Sequence, residues 1–139
     1  MQESTRVSVD EIVENFAFFD DWEDRYRFII DLGKALPHLP DALKTDANIV
    51  HGCQSKVWIA HELVEGRLHF RLDSDALIVR GLIAIVLAAF NDRTPKEILA
   101  YDIDELFARL DLMRHLSPTR GNGLAALVRR MRKIAQLST

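Results

Sequence analysis

Lys56-Val57-Trp58-Ile59-Ala60, followed by Glu65-Gly66 and then Arg67-Leu68-His69-Phe70-Arg71-Leu72, is the stretch whose reading decides the fold. The first run is β-branched and aromatic. The middle pair offers a turn. In the second run, Leu68, Phe70 and Leu72 alternate with Arg67, His69 and Arg71, the period-two pattern of a half-buried strand. Together they predict an antiparallel hairpin, with Ile49-Val50 supplying a third short strand. Directly after it, Asp73-Ser74-Asp75 places three short oxygen-bearing side chains ahead of Ala76. This pattern predicts the cap of a helix running to Phe90. That helix is apolar nearly all round except for Arg80, so it should lie centrally, and a buried Arg80 would need a carboxylate or carbonyl partner.

Helices are predicted on both sides of the hairpin. Upstream, Ser8-Val9-Asp10-Glu11 fits a capping box ahead of Ile12, Val13, Phe16 and Phe19. Asp20-Asp21 can cap a second helix carrying Trp22, Tyr26, Ile29, Ile30 and Leu36 on one face, ended by Pro37 and Pro40. Downstream, Thr94-Pro95-Lys96-Glu97 caps a short helix, with Pro95 at its first position, ahead of a segment from Asp104 to Leu110. Leu116 to Gly123, rich in Ser, Pro and Gly, reads as a loop. The last helix turns Leu124, Leu127, Val128, Met131 and Ile134 inward and Arg129, Arg130, Arg132 and Lys133 outward to solvent. The expected class is α+β: a small antiparallel three-stranded sheet packed against several helices, in one domain spanning residues 1–139.

With 139 residues, 48% hydrophobic and 28% charged, the chain can bury a core. A net charge of −3 speaks against a general nucleic-acid binder. The segment from Met1 to Asp10 lacks the organisation of a signal peptide. The apolar run from Ala76 to Phe90 falls short of the roughly 20 residues that span a bilayer. The expectation is a cytoplasmic protein that engages no membrane and needs no more than a monomer or weak dimer.

Cys53 is the sole cysteine, within Ile49-Val50-His51-Gly52-Cys53-Gln54-Ser55-Lys56. One thiol cannot form an internal disulfide or a Cys-rich metal site. Two readings stand: a small buried hydrophobe, or a nucleophile presented by a loop that Gly52 makes pliable. A free thiol has a pKa of about 8.5, so activity near neutrality needs the anion stabilised. His51 and Lys56 are near enough in sequence to help. The five histidines show no metal-ligand spacing. There is no phosphate-binding Gly loop and no Gly-x-Ser-x-Gly elbow. A Cys/His hydrolase built from Cys53 with His51 or His115 lacks an identifiable orienting third group.

Three blocks in this chain resemble the signature of the SufE family, in the family's order and spacing. They are Val50-His51-Gly52-Cys53-Gln54-Ser55-Lys56-Val57-Trp58, Asp73-Ser74-Asp75-Ala76-Leu77-Ile78-Val79-Arg80-Gly81-Leu82, and His115-Leu116-Ser117-Pro118-Thr119-Arg120-Gly121-Asn122-Gly123-Leu124. The resemblance implies an IscU-like α+β fold and a sulfur acceptor of iron–sulfur cluster assembly. Cys53 matches the family's acceptor cysteine, which takes sulfur from the persulfide of a pyridoxal-phosphate cysteine desulfurase of the SufS or CsdA kind. It passes that sulfur to a downstream scaffold or other acceptor. The implied protein holds no cofactor or metal and is an activator of the desulfurase rather than an independent enzyme. His51, Gly52, Gln54 and Ser55 are expected to shape the cysteine loop, with Asp75 and Arg120 contacting the loop or the partner. Arg120 would favour an anionic sulfur. The alternative role is an adaptor that activates the desulfurase by docking alone.

Overall fold

A computed structural model describes residues 7–139. The polar N-terminal segment expected to carry no signal peptide lies, as far as Arg6, outside them. The hairpin forms where the alternation places it. β1 (Val57–Val64) pairs antiparallel with β2 (Arg67–Ser74), with Val57 opposite Ser74 and Val64 opposite Arg67. Leu68, Phe70 and Leu72 face the core, and Glu65-Gly66 turns the chain with both residues at positive φ.

The sheet has two strands, not three. Ile49 makes an isolated bridge to Trp58, and the Val50 amide donates to the Val57 carbonyl at 2.8 Å. A 3-10 turn at Asp46–Asn48 comes immediately before this bridge. Gly52, at φ 94°, turns the chain away just after it. Two extended residues between turns cannot build a ladder. The opposite edge is occupied by residues 91–93: Leu68 N–H donates to the Arg93 carbonyl, and Phe70 N–H donates to Asn91 Oδ1.

Among the described residues, six α-helices surround the hairpin. α1 (Val9–Phe18) carries the expected Ser8/Glu11 capping box and buries Ile12 and Phe16. α2 (Trp22–Ala35) is capped by Asp21, whose Oδ1 accepts from the Asp24 amide, and it stops before Pro37. α3 (Leu77–Phe90) is the central element, with Ile83, Ile85, Val86, Ala89 and Phe90 essentially inaccessible. α2 crosses α3 closely: a Cβ on Gly81 would fall 2.0 Å from the Ile29 carbonyl oxygen. α4 (Pro95–Ala100) has the predicted Thr94/Glu97 capping box, and α5 (Ile103–Arg109) follows. α6 (Pro118–Leu137) closes the core with Leu127, Met131 and Ala135.

Three local expectations give way to tertiary structure. Asp73 and Ser74 belong to β2, and the cap position of α3 is Ala76, with no side-chain cap. Asp73 is instead fully buried: Oδ2 accepts from the Leu39 amide at 2.9 Å, and Oδ1 accepts from the Ser74 amide and from Arg80. Arg80, buried as anticipated, also donates to the Gly33 and Leu36 carbonyls at the end of α2. The expected loop from Leu116 to Gly123 is mostly the first turn and a half of α6. Ser117 caps that helix by accepting from the Arg120 amide, with Pro118 at the first position. Finally, Arg130 and Arg132 are half-buried rather than solvated. Arg130 donates to the Ile49 and Ala47 carbonyls, and Arg132 to the Tyr101 carbonyl.

Candidate functional site

Cys53 belongs to a short loop fixed at both ends. Upstream, the Arg130 guanidinium reaches from α6 to the Ile49 carbonyl at 3.0 Å and the Ala47 carbonyl at 3.2 Å. Downstream, Asp75 Oδ1 accepts from the Lys56 amide at 3.1 Å, and the Asp75 amide donates to the Lys56 carbonyl. Residues 51–55 are carried between these anchors. A residue with φ of 94° is rarely anything but glycine, which explains Gly52 directly before the sulfur.

The loop lays Cys53 against α6. Its Sγ lies 3.5 Å from the Gly123 carbonyl oxygen, to which the thiol donates. A Cβ on Gly123 would sit in ordinary contact with Cys53, at 3.5 Å from Sγ and 3.6 Å from Cα. Cys53 lines a cavity of about 60 Å³ with an apolar floor that includes Val57, Val79, Leu82 and Leu127, and a polar rim of Gln54, Ser55, Thr119 and Arg120. The thiol is half-buried and packs on the edge of the hydrophobic core. Both readings of this residue therefore have a physical counterpart: an apolar seat, and access from a polar mouth.

Burial pushes the Cys53 thiol pKa up, because the anion is disfavoured away from water. The expectation that His51 and Lys56 favour the thiolate does not hold in this arrangement. His51 is exposed on the turn before Gly52, Lys56 is exposed after the loop, and neither lines the cavity. A neutral thiol facing a carbonyl oxygen is a poor nucleophile. The geometry describes a half-buried sulfur whose anion is disfavoured in this seat.

The structure brings Cys53, Gln54, Ser55 and Arg120 to one cavity and sets Asp75 at the loop's downstream end. Thr119 and Gly123 lie in the Ser117 to Gly123 segment of the third signature block, which the resemblance expects to frame the loop; Arg130 completes the setting and was not expected. The available signal was Ser117-Pro118, a cap followed by Pro at the first helical position, which would have put residues 118–124 on a helix. Beneath the site, Asp73 is held below the usual carboxylate range. Burial works against this, but the Leu39 and Ser74 amides, the Arg80 charge and His38 outweigh it. Among the described residues, no group of three or more His, Cys, Asp and Glu side chains is arranged to hold a metal, and no helix is long and apolar enough to cross a membrane.

The comparisons with known proteins agree with this picture. The SufE family, described as an Fe-S metabolism associated domain, matches residues 10–135. An uncharacterised SufE-like protein of Rhizobium meliloti strain 1021 is 45% identical over 134 residues, covering 94% of this chain and 96% of the relative. An uncharacterised SufE-like protein of Rhizobium etli is 46% identical over 135 residues, covering 94% and 91%. In fold, the chain is similar to the solution structure of a hypothetical protein from Thermus thermophilus, with a TM-score of 0.75 at 17% identity and 94% coverage of both chains. With its cysteine loop, hairpin and six helices in place, this chain belongs to the SufE family, whose domain is associated with iron–sulfur metabolism.

Proposed function

We propose that this protein is a sulfur carrier: Cys53 accepts sulfur from the persulfide of a cysteine desulfurase and hands it on for iron–sulfur cluster assembly. The observation that carries this reading is the single thiol of a SufE-family chain, held on an anchored loop at the mouth of a cavity. In the accepting step, the Cys53 thiolate attacks the outer sulfur of the donor persulfide. The bond between that sulfur and the donor cysteine breaks, and the donor leaves as a thiolate. A new S–S bond forms at Cys53 Sγ, and no external oxidant or reductant is consumed. Delivery repeats the exchange with Cys53 as the leaving group. A lone cysteine suits this task because no neighbouring thiol can divert the persulfide into an internal disulfide.

The seated thiol is protonated and half-covered, so acceptance requires the loop to move. Gly52 supplies the pivot, and the anchors at Ile49 and Lys56 confine the motion to the residues between them. The same half-buried thiol favours one other reading: an adaptor that stimulates the desulfurase by docking, with Cys53 a packing residue. The test is intact-mass analysis after incubation with a cysteine desulfurase and free cysteine. A reductant-sensitive gain of one sulfur atom located at Cys53 is expected, along with loss of desulfurase stimulation in Cys53→Ser. Full stimulation by a folded Cys53→Ser protein that gains no sulfur would establish the adaptor instead.

A further inference from the structure

The chain from Ala47 to Cys53 lies along one face of α6, and three positions at helical spacing meet it. At Gly123, the carbonyl accepts from the Cys53 thiol at 3.5 Å. Ala126 lies under Gly52, where an added Cβ would stand 3.2 Å from the Ala126 Cβ. Arg130 meets the far end, with Nη1 donating to the Ile49 carbonyl at 3.0 Å and Nη2 to the Ala47 carbonyl at 3.2 Å. Steps of three and then four residues keep these positions side by side on the helix. The loop numbering falls from 53 to 47 as the helix numbering rises from 123 to 130, so the two run antiparallel. Two turns of one rigid helix, roughly 10 Å, therefore separate the seat of the sulfur from the residue that grips the start of its loop.

The two carbonyls call for a forked donor. Val50 turns its N–H to β1, where the Val57 carbonyl accepts it. Backbone groups alternate in direction along an extended chain, so the Ile49 carbonyl points away from the strand. The Ala47 carbonyl lies two residues earlier, within the 3-10 turn Asp46–Asn48. The half-buried Arg130 guanidinium answers both with separate N–H groups of one planar fork. Without it, the upstream end of the loop is tied to its surroundings by the Val50 amide, while the downstream end stays held by Asp75.

We infer that Arg130 is a positioning residue for sulfur transfer: its grip on Ile49 and Ala47 sets where the loop starts, and so where Cys53 Sγ stands when a donor persulfide arrives. The transfer step itself rests on the carrier reading. Releasing Arg130 then has two consequences of opposite sign. A small reagent needs no fixed orientation and meets a freed thiol more often. A persulfide held by its own protein has to meet Sγ in line with the S–S bond that breaks, so a wandering sulfur accepts it more slowly. A residue that only stabilised the fold would not separate these two rates.

The test compares Arg130→Met, Arg130→Lys and Arg129→Met, the last removing an exposed cation from the neighbouring position of the same helix. Each is mixed with excess cysteine desulfurase preloaded as its persulfide, and the one-sulfur mass gain at Cys53 is followed in time at several desulfurase concentrations. In Arg130→Met, the saturating rate should fall on the order of tenfold, with the half-saturating concentration within about twofold of wild type. Without desulfurase, iodoacetamide should alkylate Cys53 of the same variant roughly 2- to 10-fold faster, as expected for the loss of a hydrogen-bonded tether. Arg130→Lys, whose single ammonium cannot fork across two carbonyls, should fall between wild type and Arg130→Met in both assays. Arg129→Met should match wild type in both. A urea melt checks that each variant is folded, and if Arg130→Met is not, Arg130→Lys decides by the same opposed shifts. An unchanged saturating rate, an equal loss in Arg129→Met, or alkylation that slows together with sulfur acceptance overturns the assignment and leaves sulfur transfer standing. A wild-type Cys53 that never gains sulfur sinks the carrier reading instead. Alkylation then still reads the grip of Arg130 on the loop, and an equal rate in Arg130→Met overturns that too.

Discussion

Gly52→Ala should make Cys53 more reactive, although the substitution touches neither the sulfur nor the cavity. Residue 52 has a φ of 94°. For an L-residue, left-handed backbone costs roughly 1–2 kcal/mol. The new Cβ would also stand 3.2 Å from Ala126 Cβ, inside the relaxed separation of about 3.5–4.0 Å. Against this strain, the seated loop has little to offer beyond a 3.5 Å thiol–carbonyl contact and the half-burial of one small side chain. The strain is therefore relieved by the loop leaving its seat. At 1.4 kcal/mol per factor of ten, a penalty of about 1–2 kcal/mol raises the unseated population about 5- to 30-fold. The assay is alkylation by iodoacetamide at fixed pH, followed by intact mass, with a urea melt to show that the fold persists. The rate should rise by that factor until it meets the rate of the same thiol in unfolded chain. A folded Gly52→Ala protein that alkylates within twofold of wild type would refute the idea that the seat governs reactivity.

Other outcomes follow from the same geometry. In the native protein, the pH midpoint of Cys53 alkylation should lie above the ordinary thiol value of about 8.5 and return to it in urea. Because the unfolded chain then loses its thiol proton first, stability should fall as pH rises past that ordinary value, and Cys53→Ser should lack this decline. Asp73→Asn leaves the buried Arg80 guanidinium without its counter-charge and should cost about 3–5 kcal/mol, read from the urea midpoint. Asp73 is depressed in the fold, so its contribution is present above the unfolded Asp value of about 3.9 and is lost as pH falls through the folded value. Asp73→Asn should remove that part of the acid limb. Arg120→Ala, at an exposed position on the cavity rim, should slow persulfide formation at Cys53 while shifting the urea midpoint by less than about 0.5 kcal/mol.

What was legible in the sequence was what neighbours along the chain decide. The capping boxes at Ser8/Glu11 and Thr94/Glu97 close within one turn, and the alternation from Arg67 to Leu72 sets the buried face of β2. The losses are of another kind. Asp73-Ser74-Asp75 reads as a cap because short oxygen-bearing side chains before an apolar run usually are one. Only the approach of α2 and the 37–44 connection buries Asp73 and gives it Arg80 and the Leu39 amide instead. Leu116 to Gly123 reads as a loop because Gly in a helix interior costs about 1 kcal/mol relative to Ala. Here the Ser117 cap and Pro118 start the helix regardless, and both glycines, Gly121 and Gly123, lie buried within its first two turns. Arg130 reads as a solvated face because nothing in its own helix announces the Ala47 and Ile49 carbonyls brought against it. The cysteine was visible from its sequence setting, whereas the walls of its cavity were not, since they come from elements far apart along the chain.

The segment 73–75 joins the stable part of the molecule to the reactive part. Asp73 points into a buried ion pair that ties β2, the end of α2 and α3 together, while Asp75, two residues on, holds the backbone just after Cys53. Strand-like alternation would send both side chains to the same face. Here β2 ends at Ser74 and the chain bends before α3, so one carboxylate goes inward and the other reaches the loop. The consequence is a division of labour. A firm base fixes where the loop begins and ends, and the proposed sulfur exchange asks only the few residues between to move a half-buried thiol. On the carrier reading, rigidity at residue 73 and mobility at residue 53 are complementary demands. Loosening the base should broaden the positions of the loop without making the sulfur a better nucleophile toward a docked donor.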